Sequence, residues 1–104
     1  MTRIRRSSGQ TLNLLRALMD EPRKWHHGYE LSKATELSSG TLYPILMRLS
    51  GRGFLEDKWV ETPEAGRPAR HVYRLTAKGV AHAKEQFDIS DEIEARLKSP
   101  VSSS

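Results

Sequence analysis

Between Leu42 and Leu75 the hydrophobic pattern of this 104-residue chain changes its period, and that change limits the folds open to it. In "SSGTLYPILMRLSGRGFL", residues 38–55, Leu42, Ile45, Leu46 and Leu49 recur every three or four residues, as on one face of a helix. From Leu55 the spacing drops to two. In "FLEDKWVET", Leu55 and Trp59 fall on one face against Glu56, Lys58 and Val60, and in "RHVYRLT" Tyr73 and Leu75 share a face. The two strands are separated by "PEAGRPA", which is rich in Pro and Gly, too long for a two-residue turn and suited to a protruding hairpin loop.

The flanking segments complete the pattern. "TLNLLRALMD" sets Leu12, Leu15, Leu18 and Met19 on one stripe, and Pro22 closes this first helix. "RKWHHG" reads as a connector ending at Gly28. "YELSKATEL" reads as a short second helix with Tyr29, Leu31, Ala34 and Leu37 facing inward. Ser38 or Ser39 caps the third helix, and Gly51 and Gly53 supply its exit. Thr76 caps a last helix with Ala77, Val80, Ala81, Lys84 and Phe87 as its stripe, continued by Ile89, Ile93 and Leu97. Three helices, a β-hairpin and a C-terminal helix make an α+β, mainly helical chain with the order of a winged helix-turn-helix. Its expected divisions are a basic arm over residues 1–9, the winged unit over 11–76, a final helix over 77–98 and a polar tail over 99–104.

Composition narrows the function classes. Cysteine is absent, so disulfides, thiol chemistry and thiolate metal sites are excluded. No apolar run approaches the roughly 18 residues of a membrane span, and "MTRIRRSSG" lacks the apolar core of a secretory signal, so a cytoplasmic setting is expected. The net charge of +4 is unevenly spread: from Glu85 onward five acids oppose two bases, a net −3, which leaves +7 on residues 1–84. A basic body of this kind suits a polyanionic partner, although a solvated basic surface has the same composition.

The third helix makes the partner more specific. Opposite its apolar stripe lie Gly40, Thr41, Tyr43, Pro44, Met47, Arg48 and Gly51, and no acid occurs from Leu37 to Leu55. A helix that enters a major groove runs between two rows of phosphates and must avoid carboxylates. The first turn, "SSGT", offers free amides and small hydroxyls that suit a phosphate. Arg48 can reach a phosphate or a guanine edge; Tyr43 can hydrogen-bond a phosphate or pack on a thymine methyl. Pro44 forfeits one helical hydrogen bond and is expected to bend the helix, a cost that tertiary packing must cover.

The residues that carry these features also resemble a known family. Gly28-Tyr29-Glu30, the run Gly40-Thr41-Leu42-Tyr43-Pro44 with Leu46, Arg48 and Leu49, Gly53-Phe54-Leu55, and Tyr73-Arg74-Leu75-Thr76 with Gly79 are similar to the PadR family of bacterial transcriptional regulators, over about residues 11–80. The resemblance implies a homodimeric repressor on a short palindromic operator in double-stranded DNA, with the third helix in the major groove and the wing on backbone or minor groove. It carries DNA contact to Ser39, Gly40, Thr41, Tyr43, Pro44 and Arg48, and to Arg67 and Arg70 in the wing. It also implies dimerisation through the last helix with help from the first, for which Leu12, Leu15, Val80, Phe87 and Ile93 are the expected residues. The chain departs from the family in its short, acidic final segment, which Asp88 and Ser90 are placed to interrupt.

Other features weigh less. "GRPAR" puts Arg67 and Arg70 at a hairpin tip stiffened by Pro68, and Arg3, Arg5 and Arg6 form either a second minor-groove arm or a loose start. Trp25 and Trp59 are where a small aromatic effector would stack, as in some PadR-like regulators, while core or hairpin packing accounts better for Trp59 and surface cover for Trp25. His26, His27, His71 and His82 lack the ligand spacing of a metal site, and no cofactor motif occurs. An enzyme is disfavoured by the lack of a nucleophile elbow, a phosphate loop or a carboxylate pair. The better rival is a winged helix that binds only protein; it predicts acids or apolar residues where Thr41, Tyr43 and Arg48 stand.

Overall fold

The computed structural model describes residues 8–61, 66 and 68–98. Helix α1 spans Gly9–Asp20, strand β1 His26–His27, helix α2 Gly28–Thr35, helix α3 Ser39–Gly51, strands β2 and β3 Leu55–Val60 and Arg70–Leu75, and helix α4 Ala77–Lys98. This is a winged helix, with the hairpin β2–β3 as the wing. Arg3, Arg5 and Arg6, Arg67 and the tail over 99–104 lie outside the described residues.

Helix α1 begins two residues before the expected Thr11, because Ser8 caps it: the Thr11 amide donates to Ser8 Oγ at 3.2 Å. Its buried side is wider than the expected stripe and includes Thr11, Leu12, Leu14, Leu15 and Leu18. In α2, Leu31 is buried, but Tyr29 and Ala34 face solvent and Thr35 takes the second inward position. Thr35 is tolerated there because its hydroxyl donates to the Leu31 carbonyl at 2.6 Å and accepts from the Leu37 amide at 3.3 Å. Glu36 closes α2 in the left-handed region, φ 60°, which turns the chain toward α3.

The connector 21–28 contains a strand. His26 pairs with Tyr73 and His27 with Val72, so β3 is the centre of a three-stranded antiparallel sheet ordered β1-β3-β2. Leu55 opposite Leu75 and Asp57 opposite Tyr73 fix the register of the wing. At the base of the hairpin its inner face closes the core, where Leu55, Tyr73 and Leu75 pack with Leu14, Leu15, Leu18, Leu31, Leu42, Leu46 and Leu49. Trp59 lies on the same face as Leu55, as the alternation requires. It is nevertheless 68 % exposed, because the strands run past the edge of the core.

Helix α4 is continuous through Asp88 and Ser90, so the expected interruption does not occur. Its packed side also differs from the expected stripe. Ala77, Ala81 and Lys84 are exposed, while Gly79, Ala83 and Gln86 are buried, with Val80 and Phe87 half-buried beside them. The cap is as expected: Thr76 Oγ1 accepts from the Gly79 amide at 2.9 Å and donates to the Gly53 carbonyl at 2.7 Å. The same turn binds the wing base again, with the Thr76 amide on the Phe54 carbonyl at 3.1 Å and Lys78 Nζ on the Arg52 carbonyl at 3.1 Å.

Candidate nucleic-acid interface

Helix α3 buries Leu42, Ile45, Leu46 and Leu49 and turns the opposite side outward. Gly40, Tyr43, Pro44, Met47, Arg48 and Gly51 are exposed there, and Thr41 is half-buried. The helix runs unbroken through Pro44, whose ring leaves the Gly40 carbonyl without its usual amide partner. Gly40 is exposed, so water can serve that carbonyl. Four apolar anchors on the core hold the turn that the proline weakens.

Ser38 occupies the cap position, but its hydroxyl donates to Thr41 Oγ1 at 3.3 Å and caps no backbone amide. The first carbonyl of the helix is satisfied by the amides of Thr41 and Leu42, at 3.0 and 2.8 Å. The amides of Ser39 and Gly40, which an α-helix cannot satisfy internally, are therefore left without a side-chain cap from Ser38.

Beside this face lies a hollow of about 730 Å³. Its walls are Tyr43 and Met47 of α3, Tyr29 of α2, and Trp59, His71 and Arg70 of the wing. Tyr29 (70 %), Met47 (72 %), Trp59 (68 %) and Tyr43 (39 %) are all exposed, so packing leaves this apolar patch of the described surface uncovered. Arg70 brings the cation that the sequence placed at the wing into the same concavity as Tyr43.

The wing side of the hollow is held by a polar chain. Asp57 Oδ2 pairs with His71 Nε2 at 2.6 Å, and His71 Nδ1 lies 2.9 Å from the Tyr73 hydroxyl. Trp59 stacks on His71 with ring centroids 4.4 Å apart. Burial, the neighbouring Tyr43 and Asp57 push the Tyr73 hydroxyl up to about 12. At the start of α2, the His27 amide donates to Glu30 Oε1 at 3.1 Å and holds that carboxyl below the usual carboxylate range.

The remaining expected residues separate into two groups. Trp25 does not line the hollow. It sits between Lys58 Nζ and the Arg74 guanidinium, each 4.3 Å from its ring, and covers the other side of the sheet. Of the residues expected to dimerise, Leu15 is fully buried and Leu12 nearly so, both within the protomer's own core. Leu15 has no surface to offer a partner. Val80, Phe87 and Ile93 keep part of theirs, and Leu97, further along α4, is 81 % exposed. Among the described residues no helix is long and apolar enough to cross a membrane.

At two glycines the structure shows a close approach that the sequence does not. Gly28 and Gly79 are buried, and a side chain at either would collide, at Gly28 with the Tyr43 ring and at Gly79 with the Phe54 carbonyl. The sequence carries no signal of this, since the collision partners lie far along the chain.

No curated protein matches the sequence. Among solved structures, a PadR-like transcription factor from Bacteroides fragilis is similar at 24 % identity and TM-score 0.70, over 84 % of each chain. A PadR family transcriptional regulator from Eggerthella lenta is similar at 26 % identity and TM-score 0.65, over 84 % of this chain and 82 % of that one. MepR of S. aureus in its DNA-binding conformation shares the fold at 19 % identity and TM-score 0.65, over 88 % of this chain and 64 % of the other. The model of the transcriptional regulator PadR-like family matches residues 14–85, which take in α2, α3, the wing and the first turns of α4. The chain belongs to the PadR-like family of transcriptional regulators.

Proposed function

We propose that this DNA-binding regulator is a repressor that acts as a homodimer on a short palindromic operator. Helix α3 enters the major groove with Ser39, Gly40, Thr41, Tyr43, Pro44 and Arg48 toward the duplex. The uncapped amides of Ser39 and Gly40 take a phosphate, and Arg70, with Arg67 beside it in sequence, meets the backbone or the minor groove. The observation that carries this reading is that the exposed face of α3, free of acids, opens onto the same concavity as Arg70 of the wing. Two copies would join through the apolar surface that α4 leaves uncovered, the exposed Leu97 with the half-buried Val80, Phe87 and Ile93, and would set their α3 helices about one helical turn of DNA apart. A small aromatic effector would sit in the hollow itself, between Tyr43 and Trp59.

The test is fluorescence anisotropy with a labelled duplex from immediately upstream of the protein's own gene, against a scrambled duplex, at several salt concentrations. Tight binding to the first alone, weakened by Tyr43→Ala and by Arg48→Ala without loss of folding, is the expected result. Operator binding unchanged in both variants would sink the groove assignment. An absence of binding at low salt would favour a winged helix that recognises protein.

A further inference from the structure

One aromatic side chain on the outer face of α3 is seated on another helix. Tyr43 projects from the outer face of α3, and the hydroxyl end of its ring lies against Gly28, the first residue of α2. A Cβ built on Gly28 would overlap Tyr43 Oη and stand 2.9 Å from Cζ and 3.1 Å from Cε1. The backbone of Gly28 gives no reason for a glycine. It is not among the positive-φ residues, which are Glu36, Gly53 and Gly66, and it opens a helix where most residues are accepted. What the missing side chain provides is room for a ring.

The seat is firmly placed. His26 and His27, immediately before Gly28, pair with Tyr73 and Val72 of β3. The His27 amide is tied to Glu30 at 3.1 Å, one turn into α2. Gly28 is therefore fixed by the sheet on one side and by its own helix on the other, and it is buried. Tyr73 lines the same hollow as Tyr43 and Gly28. The Tyr43 ring, which has two rotatable torsions, is thus stopped at its far end by a neighbour that does not give.

We infer that Gly28 is a positioning residue for DNA recognition: by receiving the Tyr43 hydroxyl end, it sets the direction in which α3 presents that ring to the groove. The inference rests on the assignment of Tyr43 to the DNA interface. A methyl group at position 28 evicts the ring from its seat and leaves the backbone, the core and every cation of the interface in place. Sequence discrimination then falls while non-specific attraction, which depends on charge, is kept.

The experiment uses a duplex selected by the wild-type protein from a random pool, and a scrambled duplex of equal length. Anisotropy titrations compare wild type, Gly28→Ala, Tyr43→Ala and the double variant, with Tm measured for each. Gly28→Ala is expected to weaken binding to the selected duplex about ten-fold and to change binding to the scrambled duplex less than about two-fold. In the Tyr43→Ala background the same methyl group has nothing to displace, and its effect on either duplex falls below about two-fold. Selected-duplex binding unchanged in Gly28→Ala, or an equal loss in both backgrounds, overturns the inference. Wild-type binding by Tyr43→Ala overturns the interface assignment instead, and the inference with it. If Gly28→Ala does not fold, Gly28→Ala/Tyr43→Phe is compared with Tyr43→Phe, where the atom nearest the new methyl is gone. A smaller loss on the selected duplex alone is then expected, and no loss overturns the positioning role.

Discussion

Replacing a helical glycine by alanine ordinarily stabilises a protein, by about 1 kcal/mol in a helix interior. Gly79→Ala reverses that sign here. The new Cβ would fall on the Phe54 carbonyl oxygen, 2.8 Å from the carbonyl carbon and 3.1 Å from Leu75 Cδ2. That carbonyl cannot swing aside freely, because it accepts the Thr76 amide at 3.1 Å and its neighbour Gly53 accepts the Thr76 hydroxyl at 2.7 Å. Forcing a methyl into the contact costs about 1–3 kcal/mol as overpacking, and losing the Thr76 to Phe54 hydrogen bond costs about 1–3 kcal/mol more. Set against the propensity gain, the net loss is about 3 kcal/mol. For a chain of this length that lowers Tm by about 12 °C. The assay is thermal and urea unfolding by circular dichroism at one fixed protein concentration, so that any self-association contributes equally to every variant. Gly51→Ala is the matched control. Gly51 ends α3 with nothing within 4 Å of an added Cβ and without a positive φ, so alanine there raises Tm or leaves it unchanged. A Gly79→Ala protein as stable as wild type would refute the claim that α4 needs this close approach.

Three further outcomes are expected. Leu46→Ala, at a fully buried position on the inner side of α3, lowers stability by about 2–5 kcal/mol, read as a lower urea midpoint at constant m-value. Arg70→Ala weakens binding to selected and scrambled duplexes alike and reduces the slope of log affinity against log salt by about 1; an unchanged slope would place the wing off the DNA. In an ultraviolet titration of the phenols, Tyr73 ionises near 12. Its hydroxyl holds its proton longer in the folded chain than in the unfolded one, so its contribution to stability is complete below the ordinary tyrosine value of 10.0 and is lost as pH rises from there toward 12. Tyr73→Phe removes that late step, and a spectrum unchanged by the substitution would mean that another group produces it.

Much of this architecture was written in periodicity. The stripe Leu42, Ile45, Leu46 and Leu49 identified both the buried side of α3 and the side left over for a ligand, since burial of one face decides the other. The alternation in β2 and β3 likewise put Leu55 with Trp59 and Tyr73 with Leu75. What it could not tell is where along a strand the core stops, and so Trp59 came out exposed. Strand β1 escaped because two residues have no period; His26 and His27 are a strand only by virtue of their partner. Tyr29 and Ala34 were expected inside because both are apolar enough, but an eight-residue helix with one buried leucine has few inward positions, and a threonine able to bond its own backbone took one of them. On α4 small residues, Gly79 and Ala83 among them, sit at the centre of the packed side, so hydrophobicity found Val80 and Phe87 at its edge but wrongly added Ala77, Ala81 and Lys84. The two buried glycines are the extreme case, since close approach is a property of pairs distant in sequence.

The sheet order has one more consequence. Because β1 leads directly into α2 and lies against β3, the wing and the two-helix unit are joined by main-chain hydrogen bonds as well as by side-chain packing. A pull on the hairpin is therefore carried through β3 to His27 and from there to Gly28, one covalent bond further on. The two arms of the concave face thus behave as the jaws of a single clamp with a common hinge. Altering the grip of one jaw changes the rest position of the other, and the free energies of paired substitutions across them depart from simple addition.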